Sequence, residues 1–424
     1  MRPLPPLPEW IKLEHQVAQI LTEQELHGWY FDERAARELE QTLRKEYEET
    51  SQLLRDRHPF VEGSLFTPKR DNRTRGYVAG AEFTKLKDLN PTSRDHISWI
   101  LQTHYGWIPS LTTSTGKAVI DETVLKDIGT DIALHFLTLL TLTKQLGMIS
   151  EGVNAWQKLV TKSSRIHHHC SVATSTFRCA HRKPNLAQVP SDKRFRRLFT
   201  CEPMLTMCGA DLAGIELRML AHYLARYDKG RYAEVLLTGD IHQENADKIG
   251  ISRSQVKTVT YAFLYGAGDQ RIGEAYDKQL SDEQKRVKGK EIRKAYVNAI
   301  PGLKELLEAV QKASERGYVL GLDHRRILCD SRHKSLNYLL QGSSAILAKK
   351  WMVLTHENIR NIGLETPRQL AFVHDELQFE VSQSEVNDLK FTLELSATQA
   401  GEYYKLRIPI AAESKEGKTW AEVH

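Results

Sequence analysis

Two apolar segments that lie far apart in the chain each end in acidic residues, and this pairing constrains the fold most strongly. The run LTMCGAD (205–211) reaches Asp211 just before a helical pattern, and FVHDELQFEV (372–381) presents Asp375 and Glu376. The second segment alternates on both sides of a tight HDE break, which is typical of a β-hairpin. Because the flanking residues are apolar, we expect both strands to lie in a buried sheet that can bring the carboxylates together.

Two carboxylates held close together repel each other unless cations neutralise them. Magnesium prefers oxygen ligands and keeps coordination positions for water and substrate phosphates. Taken alone, Asp211 would be interpreted as a helix cap, and Asp375 as a solvated residue at a hairpin tip. The pair favours a magnesium site.

A stripe of cations and aromatic side chains lies between the two acidic segments. Arg253, Lys257, Tyr261 and Tyr265 follow one another at intervals of four. On an α-helix, side chains four residues apart are rotated by only ~40° from one another, so these four lie on one stripe. The distance along the helix from Arg253 to Tyr261 is ~12 Å, roughly that from the γ-phosphate to the base of a nucleotide. An ordinary amphipathic helix with snorkelling cations is the alternative. That alternative does not explain why both cations precede both tyrosines. The order therefore favours a helix that binds a nucleoside polyphosphate.

Bulk composition limits the class of protein without identifying it. The 424 residues are too many for one compact core and predict two or three subdomains. The net charge of +5 permits a nucleic-acid partner but does not require one. The five cysteines form no CxxC pair, which fits a reduced cytoplasm. We expect a cytoplasmic protein with no membrane partner, since no apolar run approaches the ~20 residues of a membrane span.

The remaining sequence predicts a mostly helical chain with short strands near the acidic segments. Residues 166–211 are predicted to form short strands and loops, and the end to alternate as strand, helix and strand. The polar segment 67–80 carries Lys69, Arg70, Arg73 and Arg75 and is predicted to be a loop, either solvated or in contact with phosphates. Helices are predicted over 11–57 with a break at Gly28, over 92–149 with a break at the polar loop near TTSTGKA (112–118), and over 214–227, 252–265, 281–317 and 335–359.

These motifs together resemble the family A, Pol I-like, DNA polymerases, and most closely the replicases of short-tailed bacteriophages. DLAGIELR is similar to motif A of the family, RSQVKTVTYAFLYG to motif B and VHDE to motif C. PNLAQVPS, GDIH (239–242) and NYLLQ (337–341) also match, and the final EGKTWAEVH resembles the phage branch. The matches cover nearly the whole chain in the family's order.

The resemblance implies an α+β right-hand polymerase fold with a helical thumb, an antiparallel-sheet palm and helical fingers. It implies template-directed, 5′–3′ extension of a DNA primer from dNTPs, with release of pyrophosphate, in phage-type DNA replication. The implied segments are a proline-rich stub at 1–10, the thumb at 11–155, the first part of the palm with motif A at 156–238, the fingers with motif B at 239–320, and the second part of the palm with motif C at 321–424.

The resemblance also assigns roles to single residues. It implies that two Mg²⁺ ions are bound by Asp211, Asp375 and the backbone carbonyl of Leu212, with Mn²⁺ expected to substitute, and that Lys257 assists the leaving pyrophosphate. Glu376 is implied as a supporting acid. The implied dNTP-binding residues are His242, Arg253, Lys257, Tyr261 and Glu216. The implied contacts to primer and template come from Tyr265, Arg178, Asn337, Gln341 and His374.

Two departures from the family pattern stand out. Phe177 precedes Arg178 at a position where the family usually has glycine. The chain also begins with only a short segment before the thumb, so we expect it to lack a proofreading exonuclease. Primer–template DNA and dNTPs are the predicted partners. An exonuclease, a processivity factor or a helicase–primase acting in trans is left open.

Three alternatives compete with this interpretation. A single-subunit RNA polymerase has a similar palm, but an acidic residue such as Glu216 beside the sugar would exclude ribonucleotides. A non-catalytic DNA-binding protein on a decayed polymerase fold would be expected to lose Asp211, Lys257 or Asp375. The run His167–His169 suggests a metal site, but successive strand residues point to opposite faces, so a groove or surface segment is predicted instead.

Overall fold

The computed structural model describes residues 6–172, 174–278 and 280–424, so the first half of the predicted proline-rich stub lies outside it. The chain divides into two compact units. Unit 2 is Arg34–Lys158, and unit 1 is the remainder, formed by the residues up to Glu33 together with Leu159–His424. Unit 1 begins with helix α1 (Glu9–His27) and strand β1 (Trp29–Phe31).

Unit 2 is a helical unit with one β-hairpin. Its core collects buried side chains from successive elements, among them Leu54, Ile97, Leu125 and Phe136. The polar loop predicted at 67–80 connects the two strands of this hairpin. Neither strand was predicted. The elements are α2 (Glu33–Arg57), β2 (Phe60–Phe66), β3 (Phe83–Asp88), α3 (Arg94–Tyr105), α4 (Glu122–Ile128) and α5 (Asp131–Leu146), which continues as a π-helical turn (Gly147–Glu151).

One stretch in the described ranges, Asp131–Leu159, is long and apolar enough to cross a membrane by length and composition alone. The expectation that no apolar run approaches the length of a membrane span is wrong for this stretch. Its mean hydropathy is 1.4, and 39% of its apolar window is buried within the protein. Ile132, Ala133, Phe136 and Leu139 from this stretch pack in the core of unit 2, as expected for a core helix.

The rest of unit 1 follows after α6 (Trp156–Leu159), which joins the two units. Its elements are β4 (Arg165–Ile166), β5 (His169–Ser171), β6 (Ala180–Arg182), α7 (Lys193–Arg196), β7 (Phe199–Thr200), β8 (Leu205–Leu212), α8 (Ile215–Leu224), α9 (Arg231–Thr238), α10 (Ile241–Ile249), α11 (Arg253–Leu264), α12 (Asp269–Tyr276), α13 (Asp282–Ala299), α14 (Leu303–Ser314), β9 (Tyr318–Leu320), β10 (Arg326–Leu328), α15 (Ser335–Ile362), β11 (Arg368–Val373), β12 (Glu376–Ser382), α16 (Val386–Tyr403), β13 (Ala412–Gly417) and α17 (Trp420–Val423).

A four-stranded antiparallel sheet forms the centre of unit 1. Its strand order is β11-β12-β8-β13. Strand β8 is a nearly continuous buried run, as expected of a central strand covered on both faces. Gly209 is required there, because a Cβ atom would lie 2.5 Å from the Gln378 side chain and 2.8 Å from the Val423 carbonyl oxygen. The sheet therefore fixes the position at which β8 ends.

The long helix α15 runs without a break through Gly342, the residue at which a helix is least expected from the sequence. A Cβ atom at Gly342 would come within 2.6 Å of the Ile327 side chain. The glycine therefore permits the β9–β10 hairpin to approach the helix closely. Trp351 from the same helix is fully buried, as is almost all of Trp156 on α6.

The prediction of a surface or groove segment at His167–His169 is wrong for the middle residue. The His168 side chain is fully buried, and its Nε2 atom lies 3.0 Å from Nε2 of Gln24. The outer two rings instead contact Glu25, through its backbone carbonyl for His167 and its carboxylate for His169. The prediction that successive histidines point to opposite faces was correct. The burial of His168 depends on the packing of α1 against this segment, which no local sequence pattern shows.

A buried ion pair links the start of unit 1 to its central sheet. Arg165 donates to Glu380 at 2.6 Å, and Nε2 of His27 lies 2.5 Å from the same carboxylate oxygen. The Glu202 backbone N–H donates to the other oxygen at 3.0 Å. Burial alone would raise the pKa of Glu380, but these donors outweigh it and lower the pKa.

We expect Glu380→Gln to lower the free energy of unfolding by about 3 kcal/mol, because it leaves the buried Arg165 charge without its main partner. Urea unfolding of the full chain measures this loss. Glu291→Gln, which removes an exposed ion pair with Lys288, is the control and should cost no more than about 0.5 kcal/mol. Equal losses in the two variants would contradict the assignment.

Candidate active site

The ends of β8 and β12 bring the two predicted acidic segments together. Asp211 pairs across the sheet with Glu376 on one side and with Glu413 on the other. The Leu212 N–H donates to the Asp375 carbonyl oxygen at 3.0 Å. Asp211 and Asp375 are therefore neighbours at the same end of two adjacent strands, as the sequence predicted.

A two-residue turn positions Asp375. Val373 and Glu376 are paired, so only His374 and Asp375 connect the two strands. His374 has a φ of 62°, in the left-handed region that two-residue hairpin turns require. The tight HDE break predicted from alternation is confirmed, and it holds Asp375 beside the end of β8.

The electrostatics of the two acids show that they are crowded. Burial raises the pKa of Asp375 to about 7, and the charges of Asp211 and then Glu216 add to the effect. The Asp211 carboxyl keeps one side open to solvent, but partial burial and the charge of Glu376 still raise its pKa to about 6. A nearby cation would favour the charged forms of both acids.

Glu376 is the acid of this group that already has partners. It is 5% exposed and accepts hydrogen bonds from Trp420 Nε1 at 2.5 Å and from Gln378 Nε2 at 2.6 Å. The His424 ring lies 3.0 Å from its second oxygen. Because both oxygens are occupied, Glu376 is less available to a ligand than Asp211 or Asp375.

Helix α8, which follows β8, directs Glu216 towards the same site. The Glu216 Oε1 atom accepts a hydrogen bond from Arg178 at 2.8 Å and another from the Tyr265 hydroxyl at 3.1 Å. Arg178 also contributes to the electrostatic environment of His374, whose pKa is lowered first by burial and then by that guanidinium. These four predicted residues form one cluster beside the acids.

Helix α11 carries the predicted stripe and begins at a capping box made by Ser252 and Gln255. At its start, Arg253 Nε donates to Asp240 at 2.6 Å. Within the described ranges, the exposed Lys257 ammonium makes no ion pair. The helix ends at Leu264, so Tyr265 lies just beyond it rather than within it.

The aromatic end of the stripe faces the acids. The Tyr265 hydroxyl donates to Glu216 at 3.1 Å. Burial raises the pKa of Tyr261, and the charges of Glu216 and then Asp375 raise it further. Its ring lies 6.3 Å from the buried His242 ring, measured between centroids. The aromatic end of the stripe thus contacts the acid cluster, through the Tyr265 hydroxyl and Glu216. From the sequence we also expect Asp211 and Asp375 to face the cationic end of this helix, and that stays a prediction.

Two predicted DNA contacts lie on α15. Asn337 donates from Nδ2 to the Leu264 carbonyl oxygen at 2.8 Å, which connects α15 to the end of α11. Gln341 follows one turn later and is half-buried. Asn337 therefore has a structural partner in the absence of DNA.

Sequence reasoning missed Asp240 and Glu413. Asp240 caps α10 by accepting from the His242 and Gln243 backbone N–H groups, and it also holds Arg253. Its place in GDIH, one residue before a helix, is a recognisable capping signal. Glu413 lies opposite Asp211 only because β13 pairs with β8, and no local pattern reveals that pairing.

Comparisons with known proteins identify this arrangement. The family model described as DNA polymerase family A matches residues 73–422. The chain is 31% identical to the DNA-directed DNA polymerases of Enterobacteria phage T3 and Escherichia phage T7, and each alignment covers 98% of this chain and 70% of the relative. It is 29% identical to DNA polymerase I of Geobacillus stearothermophilus, over 58% of this chain and 30% of that protein.

A solved structure shares the fold. The polymerase domain of Pol1 from M. smegmatis, in complex with DNA primer–template and dNTP, aligns with a TM-score of 0.78 at 22% identity. The alignment covers 97% of this chain and 70% of the other. The predicted α+β right-hand polymerase fold is confirmed, and from the family match and the phage relatives together the chain belongs to DNA polymerase family A, as a DNA-directed DNA polymerase of the phage type.

Proposed function

We propose that the chain extends a DNA primer in the 5′–3′ direction on a template, joins dNTPs and releases pyrophosphate. The observation that carries the proposal is the adjacency of Asp211 and Asp375 at paired strand ends, with Glu216 and Tyr261 beside them. The phage relatives support a role in phage DNA replication, in the bacterial cytoplasm.

Two Mg²⁺ ions, with Mn²⁺ as a substitute, are the proposed cofactors. The donors available are the carboxylates of Asp211 and Asp375 and the Leu212 carbonyl, all of them oxygen ligands of the kind that Mg²⁺ prefers. The raised pKa values of both acids fit a site that gains from cations. When bound, such ions favour the deprotonated primer 3′-hydroxyl and neutralise charge on the phosphates.

The cationic end of α11 is proposed to hold the triphosphate. Lys257 is exposed and has no ionic partner among the described residues, so its ammonium is free to neutralise the leaving pyrophosphate. Arg253 would exchange its contact with Asp240 for a phosphate, and His242 lies on the neighbouring helix α10. Because the stripe carries phosphate-binding groups at one end and rings at the other, it orients the nucleotide.

The cluster around Glu216 is proposed to contact the sugar, the primer terminus and the template. Glu216 would exclude a ribose 2′-hydroxyl, and Tyr261 would stack near the sugar and base. Tyr265 would hold the templating position, while Arg178 and His374 would contact the primer terminus. Asn337 and Gln341 would reach the minor groove from α15.

Several expectations from the sequence stay predictions. They are the bounds of the thumb, palm and fingers segments, the lack of proofreading, the trans-acting partners, and the choice between solvent and phosphate for the basic loop at 67–80. The loop cations Lys69, Arg70, Arg73 and Arg75 are all exposed, which is compatible with either role.

Asp375→Asn should reduce Mg²⁺-dependent primer extension by about 10³-fold or more, because the amide cannot supply a negatively charged oxygen to the ions. Binding of primer–template should change little. A primer-extension assay and a DNA-binding titration measure the two effects separately. Asp388→Asn, at an exposed position on α16, is the control and should extend primers normally. Near-normal extension by Asp375→Asn would rule out its role as a metal ligand.

The affinity for Mg²⁺ should rise with pH between about 5.5 and 8, because protonated carboxyls do not bind the ion. Asp211 and Asp375, with pKa values of about 6 and about 7, would release protons on binding. Calorimetry in two buffers of different ionisation enthalpy counts these protons. Affinity that is independent of pH in this window would contradict the site.

The same pKa shifts predict how the metal-free protein responds to pH. Both carboxyls bind protons more tightly in the folded chain than their ordinary value of 3.8 allows in the unfolded chain. The contribution of these two carboxyls to the stability of the metal-free protein should therefore fall as pH rises from about 4 to about 7, and Mg²⁺ should restore it. Thermal unfolding of the wild type and of Asp375→Asn, with and without Mg²⁺, isolates this contribution: without the ion, the stability of the wild type relative to the variant should fall over this window.

Glu216→Ala should lower the preference for dNTP over rNTP by about 10²-fold, because the side chain that would meet a 2′-hydroxyl is removed. Single-nucleotide incorporation with both substrates measures the ratio. Unchanged sugar selection would exclude Glu216 as the excluding group.

A further inference from the structure

The backbone at Phe177 is unusual for the residue that it carries. Phe177 has a φ of 62°, and it directly precedes Arg178. The conformation is fixed locally, since the Phe177 N–H donates to the Thr174 carbonyl at 3.0 Å and the Thr174 hydroxyl donates to the Arg178 carbonyl at 2.6 Å. A bulky side chain in the left-handed region is unfavourable unless other contacts offset the cost.

One such contact is a buried cation above the ring. The Arg325 guanidinium carbon lies 4.9 Å from the centroid of the Phe177 ring, and Arg325 is 4% exposed. Cation–aromatic contacts are strongest where water is excluded. The aromatic side chain therefore gives Phe177 an interaction that glycine could not make.

Arg325 is itself held in place by a charge-balanced cluster, defined here as Glu14, Asp323, Arg325 and Lys349. Arg325 Nε donates to Asp323 at 2.8 and 3.0 Å, and a terminal nitrogen pairs with Glu14 of α1. The fully buried Lys349 donates to both oxygens of Glu14, at 2.8 and 2.9 Å. Two cations and two carboxylates satisfy one another, so the guanidinium plane above Phe177 has little freedom.

The other end of this chain of contacts reaches the active site. Arg178 donates to Glu216 at 2.8 Å, and the same Glu216 oxygen accepts from the Tyr265 hydroxyl at 3.1 Å. The contacts thus continue from α1 through Arg325 and Phe177 to the group proposed to face the sugar.

We propose that Phe177 is a positioning residue for Arg178 and, through it, for Glu216. The Arg325 guanidinium holds the Phe177 ring in place, and the ring stabilises the left-handed backbone conformation of this residue. That backbone conformation sets the direction from which the Arg178 side chain reaches Glu216. Phe177 itself touches no substrate. The inference rests on the proposed function for the role of Glu216, and it adds a specificity determinant outside the groups proposed to contact the nucleotide.

A purely structural role is the competing explanation, because Phe177 is half-buried against the core of unit 1. That role would change stability and leave substrate selection intact. The deciding measurements are therefore single-turnover incorporation rates, the dissociation constant for dNTP and the dNTP-to-rNTP selection ratio, with thermal unfolding as the check on folding.

We expect Phe177→Ala in the full chain to lower both the maximal incorporation rate and the selection ratio by about tenfold, with the dNTP dissociation constant unchanged within about twofold. Phe177→Tyr keeps the ring and should behave as wild type. Phe177→Gly relieves the backbone but lacks the ring, so it should lose selection as alanine does while losing less stability. Arg325→Lys keeps the charge but not the planar stacking, and it should shift selection in the same direction.

The double variant Phe177→Ala/Glu216→Ala shows whether the effect passes through Glu216. If it does, the double variant should have the selection ratio of Glu216→Ala alone, because coupled residues are not additive. Additive effects, or a Phe177→Ala protein that loses stability but keeps wild-type rate and selection, would overturn the inference. Failure of the wild-type chain to extend any primer would instead overturn the proposed function.

Discussion

The adjacency of the Asp211 and Asp375 carboxylates at the ends of neighbouring strands is the constraint on which the rest of unit 1 depends. Burial and neighbouring negative charge raise the pKa of both acids, so their proximity in the charged state costs free energy in the metal-free protein. That cost persists because the β8–β12 register is fixed over the whole length of the pairing. A slip of one residue would turn every side chain of β8 to the opposite face and separate the acids.

The surrounding structure makes such a slip unfavourable. Gly209 allows Gln378 and the Val423 backbone to close over β8, and a side chain at that position would force them apart. The Glu376 carboxylate, on the residue opposite Asp211, is held by the Trp420 indole and the His424 ring. The last residues of the chain thus stabilise the strand that presents the acids. Side chains packed this closely cannot move independently, so a shift of one strand would displace its neighbours.

Local sequence patterns predicted the elements that carry the chemistry better than the contacts that support them. Asp211, Asp375 and the α11 stripe were identifiable because strand alternation and helical spacing act within short segments. The β2–β3 hairpin, the burial of His168 and the pairing of Glu413 with Asp211 were missed, since each depends on residues distant in sequence. The Phe177 position was recognised only as a departure from glycine. Its contact with Arg325 follows from tertiary structure alone.

The most direct test of the central claim is the anomalous diffraction of Mn²⁺ in crystals of the chain with primer–template DNA and a non-hydrolysable dNTP. The account predicts two manganese peaks within bonding distance of the Asp211 and Asp375 carboxylates, next to the triphosphate and facing Lys257. Peaks at other acids, or a triphosphate bound away from α11 while these two carboxylates contact no ion, would contradict it.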